Sequence, residues 1–350
     1  MLEKYLDDLE ARIDEAGEAD LFAQWKRFAD GAVGAGIFYP KRNYSAPPKI
    51  DWPYISCNDA IGDFDKMIVA QLADCSKTLA NGVGNFMTVR SNYGTGILSS
   101  VFGAEIFWME DRLNTLPTSK PIPGAADTIK RLLDTGAPDL NTGLGGKTFE
   151  MGRRYAAAFA PYPKISKWVA VYHPDIQGPM DIAELVWGSP IFCEFYDQPE
   201  LVHSFLALVT ETYSRFMREW QGIIAPRGDG YSFHWGMLHK GAIMLRDDSA
   251  MNLSGDTFEE FVKPYDQRLL DEFGGGAIHF CGHGDHFIPS MCAMRNLHGI
   301  NMSQPHLNDM EKIYRHTVDQ NIPLLGFDRN YAERALAAGR ELHGCAQCWK

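Results

Sequence analysis

The sequence predicts a parallel α/β fold in a single domain. Three observations carry that expectation. Short apolar runs alternate with amphipathic helical patterns along most of the chain. Polar and glycine-rich clusters recur just after the apolar runs. No interior linker divides the 350 residues, and α/β barrels commonly fill that length as one domain.

The elements follow in order. Residues 1–30 read as helix, with Leu2, Leu6, Leu9 and Ile13 at helical spacing and acidic residues in the first turns. Residues 38–56 hold Tyr39-Pro40, Pro47-Pro48 and Trp52-Pro53. That composition suits an extended segment, so 1–56 is expected to cover the main body. Ile61, Phe64, Ile68, Leu72 and Leu79 predict a helix over 59–80. Strands are expected at 86–90, 168–172, 242–245, 276–281, 299–302 and 323–326. Helices are expected at 124–135, 147–160, 181–187, 199–221 and 257–273, with Pro199 in the first turn of the fourth and Ser254 or Asp256 capping the last. Periodicity alone does not separate a barrel from an open doubly wound sheet. Asn92-Tyr-Gly-Thr-Gly-Ile-Leu-Ser lacks the third glycine of a dinucleotide-binding turn.

The formal charge of −12 and the absence of any Lys/Arg run longer than two leave no basic footprint for nucleic acid. No apolar stretch reaches about 18 residues, the length of a membrane span. The N-terminus lacks the basic-then-apolar layout of a secretory signal, so a cytoplasmic protein is expected. Seven cysteines, an odd number, fit reduced thiols better than a disulfide framework.

The sharpest chemical motif is Gly276-Ala-Ile-His279-Phe280-Cys281-Gly282. Strand alternation puts His279 and Cys281 on one face, where imidazole and thiolate suit zinc. The third ligand is sought in Cys345 or Cys348. The plainer reading is a hydrogen-bonded core histidine beside a core cysteine. Cys345 and Cys348 also fit a dithiol or a frayed end. Asp247 and Asp248 form a second candidate, as cation ligands or as an acid and base, with loop bracing as the equal alternative. Arg90 and Arg246 suit a substrate carboxylate or phosphate, or neutralise the two aspartates. Asn92, Tyr93, Gln177, His234 and Gln304 lie in the polar clusters after predicted strands, although Tyr93 also fits core packing.

Three segments together resemble the uroporphyrinogen decarboxylase superfamily: Asp175-Ile-Gln-Gly-Pro-Met-Asp-Ile-Ala183 with Asp197-Gln-Pro-Glu-Leu-Val-His203; Leu245-Arg-Asp-Asp-Ser-Ala250 with Phe258-Glu-Glu-Phe-Val-Lys-Pro-Tyr265; and Ile278-His-Phe-Cys-Gly282. The resemblance implies a (β/α)8 TIM barrel with its site at the C-terminal strand ends. Residues 36–56 carry Lys41, Arg42 and Lys49 but not the Arg-x-x-x-Arg pattern of the decarboxylases. The site pattern is closer to the corrinoid-dependent methyltransferase branch, of the methylcobalamin:coenzyme M type. That branch implies zinc on His279, Cys281 and Cys345. The related sites often add a Glu, and Asn301-Met-Ser-Gln304 offers only the Gln304 oxygen.

The resemblance therefore implies a zinc-dependent methyltransferase. It would move a methyl group from a corrinoid protein, whose cobalamin is the carrier, or from a similar carrier, to a thiol or pterin. Asp247, Asp248 or His234 would orient the acceptor or handle its proton. Arg90, Asn92, Tyr93, Gln177, Arg246 and Gln304 would bind substrate. A decarboxylase or lyase acting on a polycarboxylate is the alternative, and a non-enzymatic barrel binding a tetrapyrrole or metal is the second. The expected partners are a small-molecule substrate and a corrinoid protein, with a homodimer left open.

Overall fold

A computed structural model describes residues 2–350. Parallel pairing dominates the central strands. Ile243–Arg246, Gly276–Phe280 and Leu297–Met302 form one ladder, with Arg246 opposite His279 and His279 opposite Asn301. Parallel bridges extend it from Ile300 to Leu324 and from Leu324 to Ala346. Ala346–Gln347 then pairs with Ile37–Phe38. A second parallel pair joins Met87–Val89 to Val169–Val171.

The backbone ladder does not close into the expected barrel among the described residues. Between Val169–Val171 and Ile243–Arg246 the link is partly a side chain. The Met244 N–H donates to His173 Nε2 at 3.0 Å, and the Gly178 N–H donates to the Arg246 carbonyl at 2.8 Å. Pro174 has no N–H to offer a ladder, so the chain leaves strand geometry there and an imidazole takes its place.

Alternation along the strands sorts the core into two clusters. Ile243, Leu245, Ile278, Phe280, Ile300, Met302, Leu324 and Ala346 pack under the helices. Met244, Ala277 and Leu325 point the other way and meet Trp25, Phe38, Phe86 and Met237. Arg246, His279 and Asn301 continue this second, inner face toward the strand ends.

The N-terminal segment departs from a plain cover in two ways. Helix Glu3–Arg12 ends before Asp14, which accepts the Ala16 and Gly17 N–H groups and starts helix Glu15–Ala29. Ile37–Phe38 is a strand that extends the parallel ladder. Buried ion pairs hold the segment down: Arg12 with Asp8 at 2.8 Å, and Arg42 with Glu18 at 2.6 Å.

Two predicted helices are each divided. Asp63 caps Phe64–Asn81 and so separates it from Cys57–Gly62. Gly255–Phe261, capped by Ser254, is followed by Lys263–Glu272, whose Pro264 offers no N–H to a continuous helix. An unpredicted hairpin pairs Tyr231–His234 with Met237–Lys240. Its turn residues, Trp235 and Gly236, both have positive φ, as the type I′ two-residue hairpin turn requires. Among the described residues, no helix is long and apolar enough to cross a membrane.

Candidate metal centre

Strand Gly276–Phe280 carries His279 on the inner face and releases Cys281 just beyond its end. His279 Nε2 lies 3.3 Å from Cys281 Sγ and 3.4 Å from Asp248 Oδ1. All three donor atoms lie within 4.8 Å of one another. Tetrahedral zinc, with Zn–N about 2.0 Å and Zn–S about 2.3 Å, needs donors roughly 3.5 Å apart. The spacing fits.

The hydrogen bonds fix which nitrogen is free. Asn301 Nδ2 donates to the Leu325 carbonyl at 2.6 Å, so Asn301 Oδ1 must face His279. That oxygen only accepts, so His279 Nδ1, 2.6 Å away, carries the proton. Nε2 is left with its lone pair toward Cys281 and Asp248. Such a partner on the second nitrogen is how proteins orient metal-binding imidazoles.

Burial lowers the His279 pKa, and Asp248 only partly offsets it, so the ring is neutral at neutral pH. Burial likewise pushes the Cys281 thiol up to about 11, so without a cation it keeps its proton. It donates to Ser303 Oγ at 3.4 Å. Asp248 is oriented from both sides. Its Oδ1 accepts the Cys281 N–H at 2.9 Å, and its own N–H donates to Asp181 at 2.9 Å. Asp181 also accepts the Ser249 N–H at 2.8 Å. Burial, then Asp248 and Asp247, raise the Asp181 pKa well above the usual range. Asp248, Asp181, Glu184, Gln177 and Ser249 line a cavity of about 320 Å³.

Other predicted residues stand elsewhere. Cys345 is buried, its thiol 3.7 Å from the His343 carbonyl, and is not in the donor group. Cys348 shares the outer cluster with Ala346, and the inner residue of that strand is Gln347, whose amide oxygen accepts the Gly326 N–H. Asp248 therefore stands where a distal cysteine was expected. Asp247 is fully buried on the outer face, against Asp266. Gln304 Oε1 accepts the Gly282 N–H at 2.5 Å, so that oxygen braces the loop. Tyr93 is core. His234 is buried in a chain of imidazoles, Nδ1 being 2.7 Å from His239 Nε2. With His173 it borders a separate cavity of about 360 Å³ that none of the three donors lines.

Arg90 and Arg246 do not neutralise Asp247 or Asp248. Both clamp Asp175, Arg246 at 2.6 Å and Arg90 in direct contact. Burial alone would raise the Asp175 carboxyl, but the two guanidiniums hold it below its usual value. Two cations and one anion leave the triplet at +1. Arg90 also donates to Asn92 Oδ1 at 2.8 Å. The Trp235 ring meets Arg246 at 4.9 Å and His279 at 5.1 Å, joining this triplet to the donor group.

No protein-family model matches the chain, and no curated protein does. A solved structure does. A methyltransferase from Methanosarcina mazei superposes with a TM-score of 0.63 at 16% identity, over 94% of this chain and 92% of that one. At that identity the likeness is one of fold. It spans nearly the whole of both chains.

Asp175, Asp181, Asn301 and Ser303 were not singled out as site residues by the sequence reading. One signal was available for two of them. Asn301 and Ser303 repeat the two-residue spacing of His279 and Cys281 on the next strand, at matching register. Asp175 and Asp181 lie in the segment 175–183 that carries the family resemblance, which by itself assigns neither of them a role.

Proposed function

We propose that this chain is a zinc-dependent methyltransferase. In this reading it takes a methyl group from a corrinoid protein or a similar carrier and passes it to a thiol or pterin acceptor. The observation that carries it is the Asp248–His279–Cys281 group, with one imidazole lone pair left free by Asn301. The fold likeness to a methyltransferase supports it. The framework would be a (β/α)8-type ring, and the eight parallel strand positions, from Ile37–Phe38 to Ala346–Gln347, support that.

Zinc held there would lower the pKa of a coordinated acceptor thiol and present it as a thiolate at neutral pH. The chain's own residues do the rest. Asn301 holds the imidazole, Asp181 holds Asp248, and the Ser303 hydroxyl, 3.4 Å from Cys281 Sγ, would donate to that sulfur once it is a metal-bound thiolate. The cavity beside Asp248 gives room for a small acceptor. The Arg90–Asp175–Arg246 triplet supplies positive charge for an anionic substrate group.

The test is zinc content together with methylcobalamin demethylation against a panel of thiols and a pterin. Cys281→Ser should lose one equivalent of zinc, and both Cys281→Ser and His279→Ala should fall to the uncatalysed rate. A zinc-free protein whose rate is unchanged by either substitution would refute the proposal. The +1 triplet favours a second reading, a lyase acting on a polycarboxylate. That reading expects metal-independent turnover abolished by Arg246→Gln.

A further inference from the structure

The loop that follows Cys281 holds a second set of donors that the proposed reaction does not use. His283, Asp285 and His286 place three donor atoms within 4.8 Å of one another. His283 Nε2 lies 2.9 Å from Asp285 Oδ1. The two imidazole rings are 4.8 Å apart.

The tautomer of His286 is settled by its partner. Nε2 lies 2.6 Å from the Leu253 carbonyl, which can only accept, so Nε2 carries the proton. Nδ1 is therefore a bare lone pair. It is buried and has no hydrogen-bond partner among the described residues. A buried acceptor left unmatched costs about 1–3 kcal/mol, so a missing partner is expected there. Asp285 is arranged in the same way. Its Oδ2 accepts the Asp309 N–H at 2.7 Å, leaving Oδ1 toward His283.

The loop backbone is fixed before any ion arrives. Asn308 Oδ1 accepts the Gly284 and Asp285 N–H groups at 2.7 and 3.0 Å. Its Nδ2 donates to the carbonyls of Gly282 and Gln304 at 3.0 and 2.8 Å. Each of the three donors thus stands on a braced backbone or carries a braced second atom, the arrangement that orients metal ligands.

We infer that His283, Asp285 and His286 form a second metal site, for zinc or another late first-row divalent ion. Two imidazoles and one carboxylate suit such ions, whereas magnesium and calcium call for oxygen-rich shells. His283 is exposed, so the ion keeps a face open to solvent. Binding would tie together the loop that leaves Cys281, and the inference does not depend on zinc at Asp248–His279–Cys281.

Metal-free, full-length protein titrated with cobalt(II) tests it. The wild type should bind two equivalents. Only the Cys281 site produces a thiolate-to-cobalt charge-transfer band, so the two are told apart by absorbance. His283→Ala, at an exposed position, should remove one equivalent and keep that band. Asp285→Asn, which still accepts the Asp309 N–H, should do the same. Cys281→Ser should remove the band and keep the other equivalent. If the wild type binds one equivalent, and His283→Ala loses it while Cys281→Ser does not, the loop site stands and the proposed zinc centre falls. Stoichiometry unchanged in both His283→Ala and Asp285→Asn overturns the loop site.

Discussion

His279 and Asn301 face each other across two parallel strands, with Nδ1 and Oδ1 2.6 Å apart. The contact decides which imidazole nitrogen is left to bind a metal. Asn301→Ala removes the acceptor and lets either tautomer form. Zinc affinity should fall about 10- to 100-fold, the usual effect of losing such a partner. Competition with a chromophoric chelator measures it. Asn301→Asp, which still accepts from Nδ1, should retain most of the affinity.

Asp175 stands between two guanidiniums, and Arg246 beside it is almost fully buried. Asp175→Asn removes the one carboxylate among the described residues that pairs with either arginine and leaves two like charges side by side. Breaking a buried pair by removing one partner costs about 3–5 kcal/mol. Urea unfolding should show a loss of that order. An unchanged midpoint would mean that solvent reaches the arginines freely. Arg90→Gln should cost less, because Arg246 still holds Asp175.

The distance between what the sequence announced and what the fold built follows the range of the signals. His279 and Cys281 were legible because alternation is local: two residues on one strand face the same way. The parallel α/β class was legible for the same reason. Asp248 as a member of the candidate donor group was half legible, since the pair was visible but the outward turn of Asp247 was not. Outside the strand Asp247 meets Asp266, nineteen positions on, in helix Lys263–Glu272, a contact that no local pattern announces. The distal ligand failed differently. Two cysteines near the C-terminus suited the chemistry, but the strand they flank presents Gln347 inward. Cys345 and Cys348 pack in the outer cluster instead. The 231–240 hairpin was invisible because its turn is Trp235-Gly236 rather than an Asn-Gly or Asp-Gly pair.

Asp247 and Asp266 form a buried acid pair with no other donor on either carboxyl among the described residues. Burial first, and then their proximity, raise the Asp247 pKa; burial raises that of Asp266 to about 8. The folded protein therefore holds at least one proton there that the unfolded chain releases above about pH 4. The sign follows. The folded state binds more protons, so stability falls as pH rises, by about 1.4 kcal/mol per unit for one proton. The decline runs from about pH 4 until the folded pair itself ionises. Asp247→Asn/Asp266→Asn keeps the shape without the titration. Its unfolding free energy should lose this slope between pH 5 and about 8, and unfolding series at stepped pH would show it. Equal slopes in both proteins would mean that the pair is ionised when folded.

Gly178 sits where the chain turns from Gln177 into helix Pro179–Trp187, and its backbone presses on the strand that ends at Arg246. A Cβ there would come within 2.5 Å of Asp247 Oδ1 and 2.7 Å of the Arg246 carbonyl. The carboxyl is fully buried beside Asp266, and the carbonyl is held by the Gly178 N–H at 2.8 Å. Neither atom can yield cheaply. Gly178→Ala should destabilise the fold by about 1–3 kcal/mol, the range for overpacking a tight core. It should also shift Asp248, the next residue, and so weaken zinc binding without touching a ligand. Parallel measurements of unfolding midpoint and zinc affinity separate the effects. Lost stability with unchanged affinity would show that the strain relaxes toward the helix rather than toward the metal centre.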